Sequence, residues 1–418
     1  MNDEQKRILD FVRTGKNILI VGAAGTGKSF TLKEIKKWAQ SRNTNIAITS
    51  STGTSAISIG GRTIHSFLGI GLAQKDAYQL YLYVKRKFQQ KVKQLQDLNI
   101  LIIDEVSMIS AELLDKISAY LQHIRKSPFP FGGLQIVLCG DMCQLPPVNG
   151  DFCFLSETWK QSNFCCVELV KQMRQERDQK FAEILNELRF GKCSDETLEI
   201  LRSCKNPNFG EVKPTILYSK NVNVDVINER EYKKLIDSSV ERKIFHTTFS
   251  EHKQSKFWAE SLKIPEILDV CIGAQVMLTV NLAVDEGLAN GSRGVITGFA
   301  EEGPIVLFKN GDQVIIEPWL FEDDNEDPDS KGNNIWASTI PLKLAYALTI
   351  HKSQSMTLDA AIIDLGPNIF ECGQAYVALS RVRDRDSVKI TNVMKSSFRT
   401  NEKVIQFYNE ISLKNILA

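Results

Sequence analysis

Short apolar runs that stop abruptly at small or polar residues recur through the first 170 positions of the chain. NILIVG ahead of AAGTGKS, NIAITSSTG, LNILIIDEVS and LQIVLCGD each carry an unbroken hydrophobic stretch that ends at Gly, Ser, Thr or Asp. Helix-length segments such as SFTLKEIKKWAQ and AELLDKISAYLQHI lie between them. Unbroken rather than alternating runs predict strands buried on both faces, and their alternation with helices predicts a parallel, doubly wound sheet over residues 1–170. A ligand of such a domain is expected at the carboxyl ends of the strands, where the polar residues fall.

The pattern changes from about residue 171. KFAEILNELRFGK reads as a helix and PTILYS as a strand, and a second set of strands and helices runs from about 340 to the end. Between them GAQVMLTVNL, GSRGVITGF and GPIVLFKNGDQVIIEP are strands closed by Gly and Asn-Gly turns. That is the signature of a small antiparallel barrel. The expected organisation is therefore α/β: a first domain over 1–170, a second over 171–240 and 340–418, and an inserted region over 241–339. A length of 418 residues suits two or three domains. The acidic run EDDNEDPDS (322–330) reads as a solvated loop, and no internal repeat is visible.

Charge changes this picture little. Lys plus Arg number 51 against 50 Asp plus Glu, a net charge of +1, so a nucleic-acid partner would have to be held by a local basic surface. The nine cysteines show no C-x-x-C spacing and are expected as reduced thiols of a cytosolic-type compartment, Cys139 as a buried strand residue. The opening MNDEQKRILDF has neither a signal core nor transit character, and no run is long and apolar enough to span a membrane. A soluble, non-exported protein is expected.

GAAGTGKS (22–29) matches G-x-x-x-x-G-K-S directly after an apolar strand and before a helix, the context that gives the motif its meaning. Gly25 and Gly27 let backbone N–H groups turn toward phosphate oxygens, Lys28 reaches the terminal phosphates and Ser29 ligates magnesium. LIIDEVS places Asp104 and Glu105 at the end of another strand. Asp104 suits the magnesium shell, and Glu105 can orient or deprotonate an attacking water, which favours hydrolysis over kinase chemistry. Gln5, in a helix-like segment before the first strand, has an amide suited to both edges of adenine. Arg174 in KQMRQ and Arg381 in YVALSRVR could reach the phosphates only across a cleft between domains, so that nucleotide would close it. ALTIHKSQSMTLD gathers His351, Lys352, Ser353 and Gln354 into a turn fit for backbone phosphate, and SSTGTSAISIGGRTIHSFLGIG offers Thr52, Gly53, His65 and Ser66.

Taken in order, these motifs resemble the superfamily-one B-type DNA helicases, and specifically the petite integration frequency (Pif) family, across nearly the whole chain. The resemblance rests on ELLDKISAYLQHIRKSPFPFGGLQIVLCGDMCQLPPV, STGTSAISIGGRTIHSF, LANGSRGVITGF and LTIHKSQSMTLD. RecD-type helicases share the loop, acids and arginines but are expected to lack the FPFGGLQIVL stretch. The resemblance implies two RecA-like domains with ATP between them, a wedge near 66–85 and a Src-homology-three-like barrel inserted in the second domain. It implies 5′ to 3′ movement on single-stranded DNA by a monomer, with junctions, duplex, RNA–DNA hybrid or G-quadruplex opened ahead. It extends the nucleotide contacts to Gly22, Ala24, Thr26 and Phe30, and the DNA contacts to Pro147, Asn149 and Asn281. In GDMCQLPPV it implies that Asp141 points toward the magnesium, that Gln144 senses the γ-phosphate and that Pro146-Pro147 leans on DNA. The family usually has glycine where Ser355 stands in KSQSM, a costly exchange if that position needs positive φ. The start close to Gln5 suggests a minimal bacterial or viral-type enzyme, cytoplasmic, or nuclear in a eukaryote. Two other readings stay open: a P-loop small-molecule kinase, and a nucleotide-gated DNA clamp that does not unwind.

Overall fold

The computed structural model describes residues 1–71, 73–174, 178–205, 214–219, 224–237, 240–253, 255–261, 264–280, 282–283, 288, 290–308, 311–322 and 335–417. The chain divides into two compact units. The first holds Met1–Leu198, Ile369–Ser380 and Met394–Ala418; the second holds Glu199–Asn368 and Arg381–Val393.

In the first unit the chain runs α1 (Asp3–Arg13), β1 (Ile18–Gly22), α2 (Lys28–Ser41), β2 (Ile46–Ser50), α3 (Gly53–Ser58), β3 (Arg62–Thr63), α4 (Ile64–Leu68), α5 (Ala77–Lys87) and α6 (Gln89–Asp97). It continues with β4 (Ile100–Asp104), α7 (Ala111–Arg125), β5 (Gln135–Gly140), α8 (Glu157–Gln161), β6 (Cys165–Leu169) and α9 (Gln179–Arg189). The six strands form one sheet in the order β3-β2-β4-β5-β1-β6, and every pairing is parallel. All five residues of β1 and of β4 are buried, which is what their unbroken hydrophobicity predicts for strands covered on both faces. Ile18, Ile20, Ile102, Val137 and Val167 pack in one core with Ile8 of α1 and Leu32 and Ile35 of α2.

The FPFGG stretch has a local physical cause. Phe131 and Gly132 take left-handed φ of 53° and 65°, and a methyl at Gly132 would sit 2.7 Å from the Leu121 carbonyl oxygen. Arg125 closes this turn by donating from Nε to the Gly132 carbonyl and from Nη1 to the carbonyls of Leu95, Gln96 and Leu98 at the end of α6. One guanidinium thus satisfies the orphan acceptors of a helix end and a turn.

The second unit carries β7 (Thr215–Tyr218), β8 (Arg242–His246), β9 (Thr248–Phe249), β10 (Ile267–Cys271), β11 (Gln275–Leu278), β12 (Arg293–Phe299), β13 (Pro304–Phe308) and β14 (Gln313–Ile315). β15 (Trp319–Glu322), β16 (Trp336–Thr339), β17 (Leu342–Leu344), β18 (Ala347–Thr349), β19 (Ala361–Leu365) and β20 (Val388–Val393) follow. A parallel sheet in the order β18-β7-β19-β20 is joined by an antiparallel sheet in the order β14-β13-β12-β11-β17 and by two smaller antiparallel sheets. No described helix is long and apolar enough to cross a membrane.

Candidate nucleotide site and nucleic-acid surface

The loop between β1 and α2 turns on Gly25 and Gly27, whose φ values of 86° and 87° cost glycine no side-chain clash. Gly27 caps α2 without any side-chain hydrogen bond, so the first N–H groups of that helix are left for another acceptor. Lys28 Nζ donates to the carbonyls of Gly22 (2.8 Å) and Ala23 (3.0 Å), curled back over its own loop. Thr26 Oγ1 donates to the Ala23 carbonyl, while Ser29 and Phe30 are exposed. Gln5 is buried; its Oε1 accepts from the Asn2 N–H in a capping box, and a methyl at Gly27 would lie 3.1 Å from its Nε2. The donor end of the Gln5 amide therefore faces the loop.

Asp104 ends β4 at 4% exposure and accepts from Ser55 Oγ of α3 at 3.2 Å. Burial and then the neighbouring Glu105 charge push its pKa up to about 6, with Lys28 among the groups pulling the other way. Glu105 is buried in a left-handed conformation (φ 54°, ψ 45°), and its carbonyl accepts from Ser51 Oγ. These residues fit a nucleoside triphosphate with magnesium: an uncapped helix start and a lysine for phosphate, and a hydroxyl and a carboxylate for the cation.

The GDMCQLPPV loop follows β5, and it corrects one expectation. Asp141 is turned toward a guanidinium and two hydroxyls, not toward a magnesium position. Its carboxylate accepts from Arg189 Nε (3.1 and 3.2 Å), from the hydroxyls of Tyr376 and Tyr408 (3.0 Å each) and from the Cys143 N–H. Those donors occupy its lone pairs, and the adjacent guanidinium already balances its charge. Gln144 is buried, and its Oε1 has no hydrogen-bond partner among the described residues. A buried amide oxygen left without a donor is the kind of group a ligand completes. Pro147 is buried, while Val148 is 79% exposed and Asn149 is exposed, so the solvent-facing tip lies just beyond the two prolines.

Arg174 joins the same assembly from within the first unit, which corrects the expectation that it reaches the phosphates only across a cleft between domains. Its backbone N–H donates to the Gly25 carbonyl (3.2 Å), and its Nη1 donates to the Ser380 carbonyl (2.8 Å) at the end of the helix Gln374–Leu379. Arg381 lies in the second unit, 2% exposed, with Nη1 3.4 Å from the carbonyls of Ser353 and Met356. The turn His351–Ser353 leaves Lys352 exposed and His351 half-buried, and Gln354 is buried. Ser355 stands at φ 69°, in the region glycine occupies freely. Thr52 and Gly53 open α3 with open space above Gly53. His65 and Ser66 lie in α4, Ser66 exposed and His65 with its pKa lowered by burial. Asn281 falls outside the described residues.

Residues 1–199 match the family model described as PIF1-like helicase, and residues 262–299 match that of the DNA helicase Pif1 2B domain. The solved structure of the Pif1 helicase from Candida albicans is 32% identical, with a TM-score of 0.81 over 98% of this chain and 99% of that one. The chain belongs to the PIF1-like helicase family. The human ATP-dependent DNA helicase PIF1 is 37% identical over 98% of this chain, which spans 63% of that protein's length. Pif1 helicase from Bacteroides in complex with ADP-AlF3 and single-stranded DNA is 27% identical, with a TM-score of 0.68 over 98% and 96% of the two chains.

With the family fixed, the mixed α/β fold and its parallel sheet are those of a RecA-like helicase. Within the first unit of this PIF1-like chain the structure brings together the glycine loop, Asp104, Glu105, Gln144 and Arg174. It adds Ser55, Arg189, Tyr376 and Tyr408, which sequence reasoning missed. One signal existed for Arg189: in α9 the buried positions Phe181, Ile184, Leu185, Leu188 and Arg189 share one helical face, so the period places an arginine in the core. Tyr376 and Tyr408 carry no comparable local mark.

Proposed function

We propose that this chain is an ATP-driven DNA helicase that moves 5′ to 3′ along single-stranded DNA and opens duplex, RNA–DNA hybrid or G-quadruplex ahead of it. The observation that carries the reading is the convergence, at the ends of β1, β4 and β5, of a phosphate-type loop, an Asp-Glu pair and a buried Gln144 whose amide oxygen lacks a donor among the described residues. The names of the human relative and of the Bacteroides complex with ADP-AlF3 and single-stranded DNA support its ATP-driven action on DNA.

In this reading Lys28 and the N–H groups of Gly25 to Ser29 bind the phosphates, and Gln5 with Gly22, Ala24, Thr26 and Phe30 borders the nucleotide. Ser29 and Asp104 hold magnesium, which supplies charge neutralisation when bound. Glu105 orients or deprotonates the attacking water, and Gln144 detects the terminal phosphate. Arg174, already bonded to the glycine loop within the first unit, and Arg381 of the second stabilise the charge that develops on the phosphates. Thr52, Gly53, His65, Ser66, Asn149, His351 and Lys352 face the strand, with Val148 beside Asn149 in place of the buried Pro147; Asn281, assigned to DNA by the resemblance, lies outside the described residues. A wedge near 66–85 is supported by Tyr78, Leu82, Tyr83 and Phe88, exposed around α5 with Lys75 and Lys87 against the Tyr83 ring and Lys85 against Tyr81. The barrel-like insertion is supported by the antiparallel sheet β14-β13-β12-β11-β17. The enzyme works as a monomer in a cytoplasmic or nuclear compartment.

Strand displacement on a 5′-tailed duplex, with hydrolysis followed beside it, tests the proposal. Wild type should separate the strands and hydrolyse ATP faster when single-stranded DNA is added. Lys28→Ala should fall below about a tenth of wild-type hydrolysis, a loss of more than about 1.4 kcal/mol of transition-state stabilisation, and should unwind nothing. DNA-stimulated hydrolysis without displacement would identify a clamp; hydrolysis indifferent to DNA would point to a small-molecule kinase.

A further inference from the structure

Asp141 and Tyr376 form a relay that the motif chemistry leaves unused. The Tyr376 hydroxyl accepts from the Ala24 N–H of the glycine loop at 3.0 Å and donates to Asp141 Oδ2 at 3.0 Å. A single buried oxygen therefore ties the loop after β1 to the loop after β5. Burial, then the nearby Asp141 charge, raises the Tyr376 pKa well above its ordinary value, so the hydroxyl keeps its proton and remains a donor. One turn earlier on the same face, Gly373 approaches the other loop so closely that a methyl would sit 2.4 Å from the Cys143 carbonyl oxygen and 2.7 Å from that of Gln144. At the far end of this helix, the Ser380 carbonyl accepts from Arg174, whose own N–H holds Gly25. The helix Gln374–Leu379 thus touches both sides of the candidate site, and its tyrosine bonds to both loops.

Tyr408 supplies an internal contrast. Its hydroxyl donates to Asp141 Oδ1 and accepts from Arg189 Nη2 of α9 (2.9 Å) and the Met142 N–H of the loop after β5 (3.2 Å). Among the described residues it makes no bond to the glycine loop. Two tyrosines therefore share one carboxylate and the same degree of burial, yet only one spans the gap.

We propose that Tyr376 is a positioning residue that fixes the glycine loop in register with the Gln144 loop, so that a change at the phosphates is passed to Gln144 and onward to the exposed Val148–Asn149 tip. This rests on the reading of the glycine loop as a nucleotide site. Removing the hydroxyl leaves the ring packed, strands the Ala24 N–H and releases one of the donors to Asp141. The loops then move independently, and the differential effect of nucleotide on DNA binding shrinks.

The test compares Tyr376→Phe with Tyr408→Phe in the full chain. In the nucleotide-free protein, hydrogen exchange of the Ala24 amide should speed up by about tenfold or more in Tyr376→Phe while the amides of β1 keep their protection. In Tyr408→Phe the Ala24 amide should exchange as in wild type, although thermal stability falls. The change in single-stranded DNA affinity produced by a non-hydrolysable ATP analogue should drop about threefold or more in Tyr376→Phe, with nucleotide-free DNA affinity unchanged. Unaltered Ala24 exchange in Tyr376→Phe, or the same loosening in both variants, would overturn the relay and leave the tyrosines as packing. Hydrolysis surviving in Lys28→Ala would instead sink the nucleotide reading, and the Ala24 exchange result would stand without it.

Discussion

Two arginines buried to the same degree sit in opposite electrostatic conditions, one in each unit. Arg189 in the first unit pairs with Asp141 and Glu168 and is met by the Tyr408 hydroxyl. Burial works against its charge, but the carboxylate beside it outweighs that and holds its pKa well above the ordinary value. Arg293 in the second unit is fully buried; its Nη2 donates to the Ala345 carbonyl, while Nε and Nη1 have no partner among the described residues. Burial, only partly opposed by Asp359, pushes its pKa down to about 10. The two loops differ in a similar way, although the first unit also carries side chains in the left-handed region, at Glu105 and Phe131. The left-handed turns of the glycine loop fall on Gly25 and Gly27, whereas the turn after His351 places Ser355 at φ 69°. The first unit thus holds a compensated network around its glycine loop, and the second tolerates an uncompensated charge and, in the turn after His351, a serine in the left-handed region. Costs of this kind persist where the surrounding structure over-determines them, and they concentrate at functional segments.

The contrast predicts opposite responses to the same chemical change. Arg189→Met leaves Asp141 buried with only hydroxyl and backbone donors, and it should cost about 3–5 kcal/mol of stability. A chemical-denaturation midpoint that moves by less than about 1 kcal/mol equivalent would break the comparison at its stronger end. Arg293→Met removes a charge that has no partner at two of its nitrogens. The Ala345 carbonyl keeps a donor in Thr215 Oγ1, and Asp359 is only half-buried and can stay hydrated. Stability should therefore hold within about 1 kcal/mol of wild type or rise, as replacement of poorly compensated buried charge does elsewhere. A loss as large as that of Arg189→Met would mean that Arg293 is as well paired as its counterpart.

The same division explains what could be read in the sequence. The six-stranded parallel sheet and its strand-end motifs were legible because each depends on a short window: five apolar residues make a buried strand, and glycine spacing makes the loop. The Asp141 network was not legible. Arg189, Tyr376 and Tyr408 approach it from 48, 235 and 267 residues away, and nothing local distinguishes a tyrosine aimed at a buried carboxylate from one in ordinary packing. Asp141 itself was misassigned for the same reason. At a strand end an acid reads as a cation ligand, and only the distant guanidinium reveals that its charge is already balanced. Ser355 is the intermediate case: the missing glycine was visible, and the left-handed backbone that gives the exchange its cost came from the fold.

Ser355→Gly is the smallest effect and isolates the backbone half of the contrast. A side chain in the left-handed region pays a steric penalty of about 1–2 kcal/mol, while glycine there loses about 0.5–1 kcal/mol more conformational entropy on folding. The difference predicts a net gain of about 0.5–1 kcal/mol, read as a rise of a few degrees at most in thermal midpoint. The converse change in the first unit gives the sign check. Gly27→Ser would put a side chain at φ 87° with its Cβ 3.1 Å from Gln5 Nε2, so it should destabilise by at least the amount that Ser355→Gly stabilises. If both substitutions shift stability in the same direction, the left-handed turn of the second unit carries no strain that glycine can release, and the comparison reduces to the two arginines.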